Sequence, residues 1–186
     1  MELMDAIRNR RAVREYTDAR IEPSMLERLI HAAILAPSAM NLQPWAFAVL
    51  LDPEHIDRLG SRAKDYLLAN FPQTGNIAAL RQMVEDPDYA LFHRAPALVI
   101  VLAKSSGVQD AEDCCLASQN LMLAAREAGL GTCWIGLARP WLDLPSTKTE
   151  LGLPESHHVV APILLGHPKT WPESHGRNPA EIYWIK

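Results

Sequence analysis

The chain has 186 residues, 48% of them hydrophobic and 22% charged, with a formal net charge of −4. That is enough chain for one well-buried core, and the acidic balance argues against general nucleic-acid or membrane-surface binding. Three cysteines, two of them adjacent at Cys114 and Cys115, give no disulfide framework and no CxxC metal pair.

Residues 2–10 predict a short helix, with Leu3 and Ile7 one turn apart. "EPSMLERLIHAAILA" (22–36) places Leu26, Leu29, Ile30, Ala33 and Ile34 on one helix face, with Pro23 in the first turn and Pro37 as the stop. "WAFAVLL" (45–51) predicts a strand. Asp52 and Pro53 then open a helix as N-cap and first residue, and it continues through Leu67. A further helix is expected over 75–86. "ALVIVLA" (97–103) predicts a buried strand by its continuous apolar run. Residues 110–129 form the longest predicted helix, apolar on most sides, with Gly129 as its C-terminal cap and the cysteine pair in the core. "TCWIGLA" (132–138) reads as a strand, 145–152 as a short helix and 158–168 as the last core strand. The tail "AEIYWIK" (180–186) reads as one more strand. The order is mixed rather than alternating, which favours an α+β fold in a single domain, 1–186. The longest apolar run, 95–103, is too short to span a bilayer as a helix, and "MELMDAIRNRR" lacks the apolar core of a signal peptide. With the reduced thiols this gives an expectation of a cytoplasmic protein.

Three stretches bear on chemistry. "RNRRAVR" (8–14) holds four arginines and no acid. It reads either as a solvated basic helix face or as an anion site, since arginine grips phosphate bidentately. "APSAMNLQPW" (36–45) sets Ser38, Asn41 and Gln43 between two prolines, with Trp45 following the second, as a ligand-facing loop or a self-capped turn. "GLGTCWIG" (129–136) fails the dinucleotide fingerprint, because position 134 is Trp and the segment joins a helix to a strand. Gly136 there marks either a bulge or a close approach to a flat ligand. The seven histidines show no ligand spacing, so no metal site is expected. No protein nucleophile is evident, which points to a cofactor as the carrier of the chemistry.

Taken in order, "RNRRAVREY", "APSAMNLQPWAF", "RAPALVIVLA", "ASQNLMLAAREAGLGTCWIGL" and "LGLPESHHVVAPILLGHP" resemble the nitroreductase family of flavin enzymes over nearly the whole chain. The resemblance implies a mostly antiparallel sheet flanked by helices and a homodimer whose C-terminal strands exchange between subunits. It also implies FMN in the dimer interface, NADH or NADPH as hydride donor, and a small-molecule acceptor. Arg10 and Arg11 resemble the residues near the ribityl phosphate, and Arg14 the cation at the pyrimidine end of the ring. Arg177, with His175 as a second, resembles the late phosphate-binding residue. Pro37, Ser38, Ala39 and Asn41 resemble the segment offered by the other subunit, and Ile135 and Gly136 the backbone against the ring. Ala12 stands where relatives often carry Ser or Thr and Ala39 where they often carry Ser, and 70–93 matches nothing convincingly. The reading in competition is a protein that stores, senses or delivers FMN without general turnover.

Overall fold

The computed structural model describes residues 1–71 and 77–185. Four strands, β1 (Trp45–Leu50), β2 (Ala97–Ala103), β3 (Gly131–Trp134) and β4 (His158–Gly166), form one sheet in the order β1-β2-β4-β3, every pairing antiparallel. Every residue of β2 is buried because helices cover both faces of the sheet. Ala97, Val99, Val101 and Ala103 point into one cluster, while Leu98, Ile100 and Leu102 point into the other. This is the two-residue alternation of a strand read out as two apolar layers.

The first layer is closed by α2 (Pro23–Ala33) and α5 (Val108–Glu127), through Leu26, Leu29 and Ala33 against Ala117, Leu121 and Ala125. The second is closed by α3 (Pro53–Ala69) and the short α6 (Arg139–Leu142), through Ile56, Leu59, Ala63, Trp141 and Leu142. The remaining helices are α1 (Leu3–Asn9), α4 (Ala78–Glu85) and α7 (Pro145–Glu150).

Local chemistry sets several boundaries where the sequence places them. Asp52 Oδ1 accepts from the N–H groups of Glu54 (3.0 Å) and His55 (3.2 Å), and Pro53 is the first helical residue. At the end of α5, Gly129 adopts φ +78°. Its N–H donates to Arg126 O, and that of Leu130 to Ala125 O, the paired bonds of a Schellman cap.

Three expectations need correction, and one helix is new. The strand over 132–138 stops at Trp134, because residues 136–138 coil into a 3-10 turn. Helix α6, at "RPWL", was not foreseen; four residues are too few to show periodicity. Cys115 is exposed, not core: one helical step turns it away from buried Cys114. The tail over 180–185 forms no strand within the single chain and lies exposed. Lys186, and residues 75 and 76 of the expected 75–86 helix, lie outside the described residues; α4 covers 78–85 of that helix. Among the described residues no helix is long and apolar enough to cross a membrane.

Candidate functional site

The N-terminal arm leaves α1 and runs along the sheet edge as an extended strap. Val13 N–H donates to Thr132 O at 2.9 Å, and Thr17 N–H to His167 O at 2.8 Å. Two glycines make room for it. A Cβ on Gly131 would stand 2.7 Å from Val13, and one on Gly166 would collide with the Tyr16 ring. Val13 and Tyr16 are buried in these sockets, and the Tyr16 hydroxyl donates to Val13 O at 2.6 Å. Burial pushes the Tyr16 phenol far above its ordinary range, so it stays a donor.

With Val13 and Tyr16 turned inward, Arg14 is left exposed on the rim of a cavity of about 230 Å³. Its other walls include Cys133, Ile135 and Gly136 from the end of β3, Leu80 and Met83 from α4, and Tyr89 and His93. The cavity is therefore apolar with a cation at its edge. Gly136 opens the 3-10 turn, where a backbone N–H has no turn partner of its own. A Cβ there would meet nothing within 4 Å. Of the two readings of Gly136, the structure shows open space in front of it rather than a crowded bulge.

Arg10 belongs to the same face as Arg14: both lower the Cys133 thiol, although burial outweighs them and raises it. Arg11 does not. Its guanidinium donates to Arg8 O (2.6 Å) and Arg10 O (2.8 Å), closing the carbonyl end of α1. It also lies near Arg126, whose pKa is lowered by burial first and by the Arg11 charge second.

The loop Pro37–Gln43 sits elsewhere and does not line the cavity. Met40, Asn41 and Gln43 hold φ of +51°, +55° and +49°, a left-handed backbone that side-chain-bearing residues adopt at a cost. Besides the turn bonds from Asn41 N–H to Ser38 O and from Leu42 N–H to Ala39 O, three bonds that use side chains hold it. Ala39 N–H donates to the buried Asp113 carboxylate at 3.0 Å, Gln43 N–H to Ser38 Oγ at 3.0 Å, and Gln43 Nε2 to Asn41 Oδ1 at 3.1 Å. The loop is thus partly self-capped; the Ser38 hydroxyl hydrogen and the Asn41 amide hydrogens remain for other partners. Behind it, Lys104 N–H donates to Pro44 O at 2.7 Å and Trp45 is buried, so the loop is tied to the sheet.

His175 and Arg177 are exposed in the tail, where Arg177 Nη1 donates to Gly176 O at 2.6 Å; the chain does not bring them to Arg10 and Arg14. Trp171, nearer the body, stacks under the Arg126 guanidinium at 3.5 Å. The sequence missed Leu80, Met83, Tyr89 and His93 as cavity residues. Nothing in their spacing pairs them with the strap; only the fold does.

Among the described residues no group of three or more His, Cys, Asp or Glu side chains is placed to hold a metal ion. The thiols are not activated: burial raises Cys114 to about 12 and raises Cys133.

The sequence profile of the Nitroreductase family matches residues 7–167. A protein of Archaeoglobus fulgidus, provisionally named NADH dehydrogenase/NAD(P)H nitroreductase, is 31% identical over 169 residues, covering 90% of this chain and 86% of its own. A protein of the same provisional name from Methanothermobacter thermautotrophicus is 28% identical, covering 90% and 78%. A crystal structure of a nitroreductase with bound FMN from Bacteroides fragilis superposes with a TM-score of 0.84 at 27% identity, over 100% of both chains.

Proposed function

The chain belongs to the nitroreductase family, and from that premise we propose an FMN-dependent oxidoreductase that takes hydride from NADH or NADPH. It passes the hydride to an organic acceptor, such as a nitroaromatic or a quinone, in alternating half-reactions. The observation that carries this is the convergence of Arg14 and the Ile135–Gly136 backbone on one apolar cavity.

The residues present fit an isoalloxazine ring. Leu80, Met83, Ile135 and Leu137 offer apolar wall, Gly136 offers a backbone donor with open space before it, and Arg14 offers a permanent cation at the rim. FMN, when bound, supplies the hydride chemistry. Arg14 would favour negative charge on a ring held in the cavity and so would raise the tendency of the cofactor to accept electrons. Gly136 N–H would orient such a ring by a directed hydrogen bond. Arg10 and Arg177, with His175, are the phosphate-holding groups of this reading. Arg11 serves the strap.

The proposal includes a homodimer. Pro37, Ser38, Ala39 and Asn41 stand away from their own chain's cavity, on a loop with hydrogen-bonding capacity to spare, and would complete the partner's site. Exposed Leu3, Met4 and Ile7 on α1, Leu35, Met40 and Leu42 near the loop, and Ile182, Tyr183, Trp184 and Ile185 in the tail supply apolar surface that a partner would cover. The tail would add as a strand to the partner, with residues 1–186 acting as one FMN-binding domain. Three free thiols suit the cytoplasm.

The test is optical. Purified protein should carry a flavin absorption band, bleach on anaerobic NADH or NADPH, and regain colour with a nitroaromatic or a quinone. Flavin that binds but never bleaches would replace the enzyme with a flavin carrier. A protein that takes up no FMN would end both readings. Arg14→Gln should lower the reduction potential of the bound flavin; an unchanged potential would remove Arg14 from the ring edge.

A further inference from the structure

His93 lines the same cavity as Arg14, Ile135 and Gly136, yet nothing above uses it. Its backbone is held at φ +50°, and that of Arg94 also at +50°. Two consecutive left-handed residues that are neither Gly nor Asn are strained and persist only where the surroundings enforce them. The enforcement is visible. His93 N–H donates to Ala90 O at 2.9 Å and Ala95 N–H to Phe92 O at 3.0 Å. Leu91 and Phe92 just before are buried, and Ala95 and Pro96 just after lead into β2. The strained turn thus fixes the backbone that carries the imidazole on the cavity wall.

The ring is fixed as well. Tyr89 meets it edge to face, with centroids 5.7 Å apart and planes at 86°. Tyr89 is held in turn by Lys64, which donates to Tyr89 O at 2.8 Å and lies 5.8 Å from its ring centroid. The imidazole is half-buried, and among the described residues neither of its nitrogens has a hydrogen-bond partner. Burial first, and the Arg14 charge second, lower its pKa to about 4. Near neutral pH the ring is therefore uncharged, with one N–H donor and one acceptor nitrogen. An ordered, partner-free donor on the wall of a catalytic cavity is what recognition of an acceptor oxygen requires.

We propose that His93 is the acceptor-recognition residue, an imidazole N–H donating a hydrogen bond to a nitro or carbonyl oxygen of a planar acceptor held in the cavity. This rests on the flavin-reductase reading and narrows its substrate class to acceptors that carry such an oxygen. As the acceptor takes up hydride its oxygen gains negative charge, so the same bond strengthens along the reaction.

The experiment uses FMN-loaded protein in the oxidised state without reductant, so that binding is read apart from turnover. Nitrobenzene and isopropylbenzene, which has a similar shape but no oxygen, are titrated against the flavin absorption band. His93→Phe should weaken nitrobenzene by roughly three- to tenfold, the worth of one neutral hydrogen bond, and leave isopropylbenzene unchanged. His93→Asn tolerates the left-handed backbone and serves if the phenylalanine variant misfolds; it should fall between the two. Independently, the ring nitrogen resonances of His93 in the unmodified protein should shift on adding nitrobenzene and stay still on adding isopropylbenzene. Equal nitrobenzene affinity in parent and variants, or an unmoved His93 resonance, would overturn the assignment while leaving the flavin reading intact. A protein that holds no FMN would overturn both.

Discussion

The strap, residues 10–17, and the loop, residues 37–43, both carry residues assigned to the flavin, yet they are held in opposite ways. The strap is finished by its own chain: Val13 and Tyr16 fill glycine sockets and the backbone joins the sheet edge through bridges Ala12–Thr132 and Tyr16–Pro168. The loop is exposed and strained at three positions, and is held by one buried carboxylate, its own side chains and two backbone turn bonds within it. The difference teaches where completion comes from. A segment that must present a fixed cation is built into the core. A segment with strain and spare donors would, in the proposed dimer, be completed by surface that its own chain does not supply.

The sharpest way to break the comparison is to fill a socket. Gly131→Ala sets a methyl 2.7 Å from Val13 and must displace the strap. Overpacking of this kind costs about 2–3 kcal/mol, or about 5–10 °C in Tm for a chain this long. Flavin affinity should fall with it, because Arg14 moves with Val13. Gly136→Ala is the control: it meets nothing within 4 Å, so Tm should hold while FMN binding weakens. Thermal scans and FMN titrations of the two variants separate the roles. An unchanged Tm in Gly131→Ala would mean the strap is not socketed.

The loop's counterpart is its carboxylate. Asp113 is 6% exposed and accepts from Ala39 N–H. Asp113→Ala leaves that donor without its charged partner, at about 1–2 kcal/mol. Asp113→Asn keeps an acceptor oxygen and should recover part of the loss. Here flavin retention should suffer more than Tm, the reverse of Gly131→Ala. Equal loss of both in the two variants would dissolve the distinction between strap and loop.

These residues also show what the sequence made legible. The Asp52–Pro53 helix start, the Gly129 cap and the apolar run of β2 were readable because each is decided by neighbours in the chain or by its own period. Arg14 was readable through resemblance, but its isolation from Arg11 was not, because the split follows from which strap residues find glycine sockets. Asp113 lies 74 residues from Ala39, and no local pattern links them. His93 is one of seven histidines without ligand spacing, and nothing local singles it out. Its importance lies in a left-handed backbone that no glycine announces and in a cavity wall assembled from four separate segments.

The cavity offers a pH test of its own finish. The His93 pKa of about 4 lies below its ordinary 6.5. As pH falls, the unfolded chain therefore takes the proton first. Stability is lost from about pH 6.5 downward, and the loss is complete near pH 4. A shift of that size corresponds to about 3 kcal/mol, which water in the open cavity screens to about 1–2 kcal/mol. Denaturant midpoints of parent and His93→Asn should diverge between pH 7 and pH 4.5, the variant losing less. Carboxylates shared by both proteins cancel in the difference. Parallel curves would mean that the imidazole is solvated like a free histidine.

The smallest expected effect concerns Met40, 92% exposed with φ +51°. Met40→Gly relieves a left-handed backbone, a gain of about 1 kcal/mol, but adds unfolded-chain freedom that costs about 0.4–1 kcal/mol. The two nearly cancel, so the Tm of the separate chain should stay within a degree or two. An exposed apolar side chain on a strained loop contributes nothing to its own chain's core. It should matter only where a second surface covers it. If the loop completes a partner's site, dimer dissociation measured by analytical ultracentrifugation should become easier and flavin should leave faster, with Tm almost unmoved. A variant that keeps both dimer and flavin would confine Met40 to solvent and leave the strain at 40–43 without a role.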